Sequence, residues 1–134
     1  PALEEGRVVI SDRYADATFA YQGAGRGFPE ATVNQIIKLA TGGLKPDLTL
    51  FFDISVENAL KRMRSRSETG ERINRMDAET ADFYSKVRAA YLALAEKEPK
   101  RFCVIDANSS VEEIQSKVIE TATKFLENNK AAKD

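Results

Sequence analysis

The 134-residue sequence contains no histidine, no tryptophan and one cysteine, Cys103. The lack of histidine excludes histidine-based catalytic triads, histidine general bases and histidine-ligated metal centres. One cysteine excludes an intrachain disulfide, and its place in the apolar run at residues 101–105 predicts a buried thiol. No apolar run is long enough to span a membrane and no signal-peptide pattern is seen, so we expect a cytoplasmic protein with no membrane partner.

A strong charge of either sign is also missing. Twenty basic and 21 acidic side chains give a net charge of −1, so no overall basic field indicates a nucleic-acid partner. The hydrophobic content of 43% is enough to build a core. The length fits one domain rather than two.

Apolar periodicity and stop signals predict three strands and four helices. The strands are expected at about residues 7–11, 48–53 and 102–105, and the helices begin near residues 29, 55, 77 and 110. The resulting order is strand, helix, strand, helix, helix, strand, helix. Strands that alternate with helices predict an α/β fold with a parallel sheet flanked by helices.

The helix ends carry more specific expectations. Residues 1–6 fit the last turn of a helix stopped by Gly6, and Ser110 with Glu113 forms a capping-box pattern. The tail at residues 128–134 is polar and is expected to be frayed. The apolar faces expected to point inward consist of Val33, Ile36, Ile37 and Ala40; Ala59, Leu60 and Met63; Tyr84, Val87, Tyr91 and Leu94; and Val111, Ile114, Val118, Ala122 and Phe125.

Residues 11–27, SDRYADATFAYQGAGRG, carry the densest set of binding groups and are predicted to form a loop after the first strand. Ligands of open α/β sheets bind at the carboxyl ends of the strands. There Arg13 can hold a phosphate through paired hydrogen bonds, and the aromatic and amide groups that follow can contact a flat ring. The alternative is that Asp12 and Arg13 form only a surface ion pair and that the aromatics are core residues.

A second notable stretch has five arginines between Arg62 and Arg75. Judged by charge alone, this stretch is as consistent with a solvated helix end followed by a loop as with a functional site. Arg62 and Arg66 are four residues apart, so a helix places them on one face. A loop of this kind, with Gly70 as a flexible point, is also a way to neutralise charge over a nucleotide during phosphoryl transfer.

The run DRY…T-x-AYQG-x-GRG resembles the nucleoside-monophosphate-binding segment of bacterial thymidylate kinases. Three further segments, at residues 45–50, 53–62 and 104–108, resemble that family in the same order and at similar spacing. The resemblance covers residues 1 to about 126. It implies the P-loop NTP hydrolase fold of nucleoside-monophosphate kinases and the ATP-dependent phosphorylation of dTMP to dTDP, a step of dTTP biosynthesis.

The resemblance assigns roles around dTMP. Arg13 would bind the dTMP phosphate, and Asp12 would orient Arg13 and lie near magnesium and the transferred phosphate. Thr18 would contact the thymine ring. Tyr21 would pack against the sugar and disfavour a ribose 2′-hydroxyl, and Gln22 would add a further substrate contact.

It also assigns roles around ATP and its Mg²⁺. Arg62 would stack on the adenine, which Asp106 and Asn108 would flank. Residues 64–76 would form the lid, with Arg66 and Arg64 as candidate catalytic residues, and the family implies a homodimer. This lid looks longer than the commonest family pattern, so the choice among Arg64, Arg66 and Arg72 stays open.

One family motif is missing, the phosphate loop Gly-x-x-x-x-Gly-Lys-[Ser/Thr] that holds the ATP phosphates. The sequence therefore resembles the C-terminal part of a thymidylate kinase without its first two strands. We expect unpaired inner sheet edges and no activity from residues 1–134 alone. The alternatives are a non-catalytic fragment or relic that keeps a nucleotide- or partner-binding surface, and a general α/β scaffold with a charged loop.

Overall fold

The computed structural model describes residues 1–66 and 74–131, without the side chains of residues 64, 66, 74–79, 130 and 131. The elements are α1 (Ala15–Thr18), a π-helical segment (Phe19–Gly25), α2 (Glu30–Thr41), β1 (Thr49–Asp53), α3 (Val56–Arg66), α4 (Asn74–Lys97), β2 (Phe102–Asp106) and α5 (Val111–Ala131). They fall into two compact units, the N-terminal unit Pro1–Lys45 and the C-terminal unit Pro46–Asp134.

The N-terminal unit opens with the expected helical turn and stop. The amide of Arg7 donates to the Ala2 carbonyl at 2.9 Å and that of Gly6 to Leu3 at 3.0 Å. Gly6 adopts φ 73°, in the left-handed region that favours glycine. These two bonds and the left-handed glycine form a Schellman motif, which confirms the predicted helix end.

The strand predicted at residues 7–11 is wrong. This run belongs to no sheet in the structure, and Val8, Val9 and Ile10 are 66%, 55% and 91% exposed. A strand needs a hydrogen-bonded neighbour, and no neighbouring strand pairs with this run among the described residues. An apolar run indicates a preference for burial, but it does not supply the partner strand.

The loop predicted at residues 11–27 is wrong in its central part, which is helical. α1 continues directly into the π-helical segment, in which Ala20 is fully buried. α2 packs on this segment through Val33, which is 3% exposed. Gly23 and Gly25 lie inside the π-helical segment rather than in a loop.

The sheet of the C-terminal unit consists of β1 and β2, paired in parallel. The register runs from Thr49 opposite Phe102 to Asp53 opposite Asp106. The Thr49 amide donates to the Arg101 carbonyl at 2.8 Å, and the Ala107 amide donates to the Asp53 carbonyl at 2.7 Å. This ladder confirms two of the three predicted strands and their parallel direction.

Helices cover both faces of this sheet. Phe51 stacks on Tyr91 of α4, with ring centroids 4.6 Å apart and planes at 11°. Cys103 lies on the opposite face, since it pairs with Leu50, and its Sγ is 3.5 Å from Thr121 Oγ1 of α5. The predicted α/β architecture, a parallel sheet flanked by helices, is thus confirmed.

The core is small because two strands offer little surface to the helices. The described residues below 9% exposure in the C-terminal unit are Val87, Phe102, Ile105 and Ala107. Cys103 is half-buried rather than buried. The expected inward positions Ile36, Ala40, Met63 and Val111 are exposed, since a helix face is buried only where another element covers it.

The helix termini follow their sequence signals. Ser110 and Glu113 form the reciprocal capping box, with backbone amide to side-chain oxygen distances of 2.9 and 3.2 Å. α5 extends to Ala131, so the first part of the tail expected to fray is helical. No helix within residues 1–66 or 74–131 combines the length and apolar character needed to cross a membrane.

Ile105→Ala is expected to lower the free energy of unfolding by about 3 kcal/mol, because it removes a side chain that is 2% exposed and leaves a cavity in the sheet core. The matched control is Ile119→Ala on α5, where the side chain is 58% exposed and the expected change is below about 0.5 kcal/mol. Urea unfolding measures both. Equal effects of the two substitutions would contradict the position of the core.

Candidate functional site

In the N-terminal unit, Arg13 and Tyr21 are brought together. The guanidinium carbon of Arg13 lies 4.2 Å from the Tyr21 ring centroid, a cation–π contact. The Arg13 carbonyl accepts a hydrogen bond from Ser11 Oγ at 2.8 Å. Asp12 and Arg13 are both described, and no ion pair joins them, so the surface pair considered as an alternative is not formed in this part of the chain. Arg13 is exposed, and its guanidinium is positioned by contact with an aromatic ring rather than with the neighbouring carboxylate of Asp12.

The π-helical segment positions Tyr21 and Gln22. The Arg26 amide reaches back five residues to the Tyr21 carbonyl at 3.1 Å, and the Phe28 amide donates to the Gln22 carbonyl at 3.1 Å. The Gln22 side-chain oxygen accepts a hydrogen bond from Arg26 Nη1 at 2.9 Å. π-helical turns are rare in proteins as a whole, but those that do occur are often found at functional sites. Thr18 is half-buried at the end of α1, just before this segment.

In the C-terminal unit, three predicted ATP-site residues lie in one cluster. Arg62 Nη2 on α3 donates to the Ala107 carbonyl at 2.9 Å. Asp106 Oδ1 accepts from the backbone amide and the side-chain amide of Asn108, at 2.9 and 2.7 Å. Asn58 Nδ2 on α3 donates to Asn108 Oδ1 at 2.9 Å. We call these five residues the loop cluster.

The loop cluster stands at the carboxyl end of β2, where ligands bind in parallel sheets. Hydrogen bonds from the backbone and side chain of Asn108 hold the pKa of the Asp106 carboxyl below its ordinary value. Ser110 lowers the pKa of Glu113 in the same way, through the capping box. Both carboxylates are thus stabilised in their charged form by neutral donors.

A separate ion pair fixes the carboxyl end of β1. Arg88 of α4 reaches the Asp53 carboxylate through two bonds, Nε to Oδ1 at 2.6 Å and Nη2 to Oδ2 at 2.9 Å. The Asp53 side chain is 18% exposed and that of Arg88 is 41% exposed. The hydrogen bond to Asp53 raises the pKa of Arg88. This two-pronged contact anchors α4 at the strand end from which α3 departs.

The remaining predicted residues fall partly outside the description. Arg64 and Arg66 lie in α3, but their side chains are outside the described part of the chain, as are Arg72 and residues 67–73. The lid prediction is therefore untested. Within the described residues, no group of three or more acidic or cysteine side chains could hold a metal ion by itself.

Sequence reasoning missed Asn58, Arg88 and the backbone carbonyl of Ala107. The partners of all three are distant along the chain; Asn58 and Asn108 are 50 positions apart. The one local signal was the spacing of Asn58 and Arg62, which places two donors on one face of a helix. Nothing in the sequence indicated which acceptors that face would meet.

Asn108→Ala is expected to raise the pKa of Asp106, because one of its stabilising donors is lost. A lowered pKa contributes stability above the ordinary aspartate pKa, and that stability disappears as the pH falls through the folded-state value. As the pH falls, the variant should therefore lose the stability contributed by the charged Asp106 at a higher pH than the unchanged protein does. A carbon-13 NMR titration of the Asp106 carboxyl measures the change, and an unmoved midpoint would refute it. Ser110→Ala is the control. It should raise the pKa of Glu113 and leave the pKa of Asp106 unchanged.

The comparisons with known proteins match residues of both units. The thymidylate kinase family model matches residues 1–118. The thymidylate kinase of Pelobacter propionicus is 45% identical over 121 residues, 89% of this chain and 55% of that protein. The thymidylate kinase of Desulfovibrio desulfuricans is 45% identical over 117 residues, 85% of this chain and 54% of that protein.

The chain thus spans about half the length of the curated relatives it matches. The matched region includes the Arg13–Tyr21 contact as well as the loop cluster. The resemblance first indicated by the DRY…AYQG run is confirmed over most of the sequence. On this evidence the chain belongs to the thymidylate kinase family.

Proposed function

We propose that this chain is the C-terminal portion of a single kinase domain that phosphorylates dTMP to dTDP with ATP. The observation that carries the proposal is the family match over residues 1–118. An oxygen of the dTMP phosphate attacks the γ-phosphorus of ATP, and the bond from that phosphorus to the bridging oxygen breaks, so that ADP leaves. Such transfer depends on positioning and charge neutralisation, which is consistent with a sequence that has no histidine.

In this proposal the N-terminal unit binds dTMP. Arg13 is exposed, with its guanidinium set against the Tyr21 ring and no carboxylate of the described residues paired with it, so its N–H groups can meet a phosphate. Asp12 adds an exposed carboxylate beside Arg13 in the sequence. Thr18, Tyr21 and Gln22 follow on α1 and the π-helical segment, so they supply groups for the base and sugar.

The C-terminal unit binds the base of ATP. The exposed Arg62 has its guanidinium held by the Ala107 carbonyl, and this leaves a planar cation to stack on adenine. Asp106 and Asn108 are exposed at the same place, where they would flank the base. Arg66 and Arg64 are proposed to stabilise the transition state from residues 64–76, the lid.

Magnesium would arrive with ATP. Mg²⁺ in such sites keeps its waters and phosphates and needs only one or two protein carboxylates. Asp12, which is exposed, fits that requirement, and no dedicated cage of acidic residues is needed. When bound, the ion would neutralise charge on the phosphates. The phosphate loop, which the sequence lacks, would come from outside these 134 residues.

A second candidate function is a non-catalytic fragment or relic that keeps a nucleotide- or partner-binding surface. The missing phosphate-loop motif favours it. Intact mass and dTMP phosphorylation, measured on one preparation from the source organism, discriminate the two. A mass above that of 134 residues with turnover supports the enzyme, which we propose to be a cytoplasmic homodimer. A mass equal to this chain without turnover supports the fragment.

In the intact protein that carries the phosphate loop, Arg13→Ala is expected to reduce kcat/KM for dTMP by about 100-fold, the loss typical of a charged phosphate contact. The KM for ATP should change little, because the adenine is bound elsewhere. The control is Arg7→Ala, an exposed arginine whose side chain pairs with Glu5 at 2.7 Å. A coupled assay for ADP release measures all three proteins. Equal losses in both variants would argue against a phosphate-binding role for Arg13.

Tyr21→Ala is expected to relax the rejection of a ribose 2′-hydroxyl. The ratio of kcat/KM for dTMP to that for its ribose counterpart should fall about tenfold, as space opens beside the sugar. The ratio is the proper readout, because the substitution also removes the ring that contacts Arg13. Tyr21→Phe, which keeps the ring, should preserve the preference. An unchanged ratio in the alanine variant would exclude Tyr21 as the sugar-selecting residue.

A further inference from the structure

The side of α3 that faces the β2–α5 connection carries two donors one helical turn apart. Asn58 donates to the side chain of Asn108 at 2.9 Å, and Arg62 donates to the backbone of Ala107 at 2.9 Å. The two contacts hold neighbouring residues of the same connection. Arg62 was predicted from the sequence to meet a nucleotide base, whereas Asn58 had no assigned role.

Both the NH₂ group and the oxygen of the Asn108 side-chain amide are hydrogen-bonded. Its Nδ2 donates to Asp106 Oδ1 at 2.7 Å, and its Oδ1 accepts from Asn58 Nδ2 at 2.9 Å. Rotating this amide by half a turn would place its NH₂ group against the NH₂ group of Asn58 and its oxygen against the Asp106 carboxylate. The Asn58 donor therefore favours one of the two orientations of Asn108.

Asn58 is itself held in place. Its backbone amide donates to Ser55 Oγ at 3.3 Å, in the first turn of α3, and its side chain belongs to a half-buried residue. α3 begins directly after β1, and the Ala107 amide is bonded to the carbonyl of Asp53, the last residue of β1. The donor and its acceptor are thus built on two paired strand ends, which keeps the distance between them fixed.

We propose that Asn58 is a positioning residue for the base of the bound nucleoside triphosphate. It orients the Asn108 amide, while Arg62, four residues later, fixes the adjacent backbone and presents its exposed guanidinium. The ligand class is a purine nucleoside triphosphate, and Asn58 acts on its base end rather than on its phosphates. This inference rests on the proposed function, which places the ATP base at the loop cluster.

The test is Asn58→Asp in the intact protein. The two side chains have the same shape, and an aspartate in the first turn of a helix is favourable to the helix dipole. The substitution removes the donor and places a carboxylate against the Asn108 oxygen. The KM for ATP should rise about five- to tenfold, the effect of one lost side-chain hydrogen bond with added repulsion. kcat and the KM for dTMP should change less than about twofold.

Two measurements separate positioning from a merely structural role. Inorganic tripolyphosphate, which has no base, should compete with ATP equally well against the unchanged protein and the variant. The melting temperature should stay the same. The control is Glu57→Gln, the adjacent residue on α3, whose carboxylate pairs with Lys61 at 2.7 Å and not with the connection; its KM for ATP should not move.

An unchanged KM for ATP in Asn58→Asp, or an equal loss for ATP and tripolyphosphate, would overturn the inference. Absence of dTMP phosphorylation by the unchanged protein would instead contradict the proposed function. In that case calorimetric ATP binding decides the inference alone. Weaker binding by the variant supports it, whereas equal binding, or no binding by either protein, overturns it.

Discussion

The parallel pairing of β1 with β2 determines where the groups of the C-terminal unit lie. The ladder aligns Asp53 with Asp106, so both strands end at the same edge, and it continues through the Ala107 amide to the Asp53 carbonyl. α3 and α5 both leave from that edge, and α4 is anchored to it by the two-pronged contact between Arg88 and Asp53. The two contacts of α3 with the β2–α5 connection, from Asn58 to Asn108 and from Arg62 to Ala107, follow from this alignment, because both strands end at the same edge.

In the N-terminal unit, a π-helical segment and an aromatic contact, rather than paired strands, position the side chains of Tyr21 and Arg13. There a short α-helix continues into a π-helical segment, which carries Tyr21. A ring then orients the guanidinium of Arg13, and the flanking carboxylate Asp12 makes no ion pair with it. A cation held against an aromatic face keeps its N–H groups available, whereas a two-pronged pair with a carboxylate would occupy them. Arginine side chains thus make different contacts in the two units: Arg88 pairs with the Asp53 carboxylate, and Arg13 lies against the Tyr21 ring.

Much of the fold was predictable because its signals are local. The apolar runs at β1 and β2, the Gly6 stop and the capping box of Ser110 and Glu113 each depend on residues a few positions apart. The strand expected at residues 7–11 failed because strand formation depends on a neighbour, which no run of residues encodes by itself. The central part of residues 11–27 was predicted to be a loop but forms α1 and the π-helical segment. α2 packs on this segment, and such tertiary contacts can override the low helix propensity of glycine. At the site, motif resemblance pointed to Arg62, Asp106 and Asn108, but it could not predict the contacts of Arg62 with Ala107 and of Asn58 with Asn108. These join residues 45 and 50 positions apart and are set by tertiary packing.

The separation of the two paired strands along the chain has a kinetic consequence. Thr49 can meet Phe102 only when the chain between them, which includes α3 and α4, closes into a loop. Closing so long a loop costs entropy before any strand hydrogen bond compensates for it. Helices, by contrast, gain their contacts within a few residues and form fast. The pairing of β1 with β2 should therefore limit the folding rate of the C-terminal unit. Until the two strands pair in register, the helices should form and unfold repeatedly.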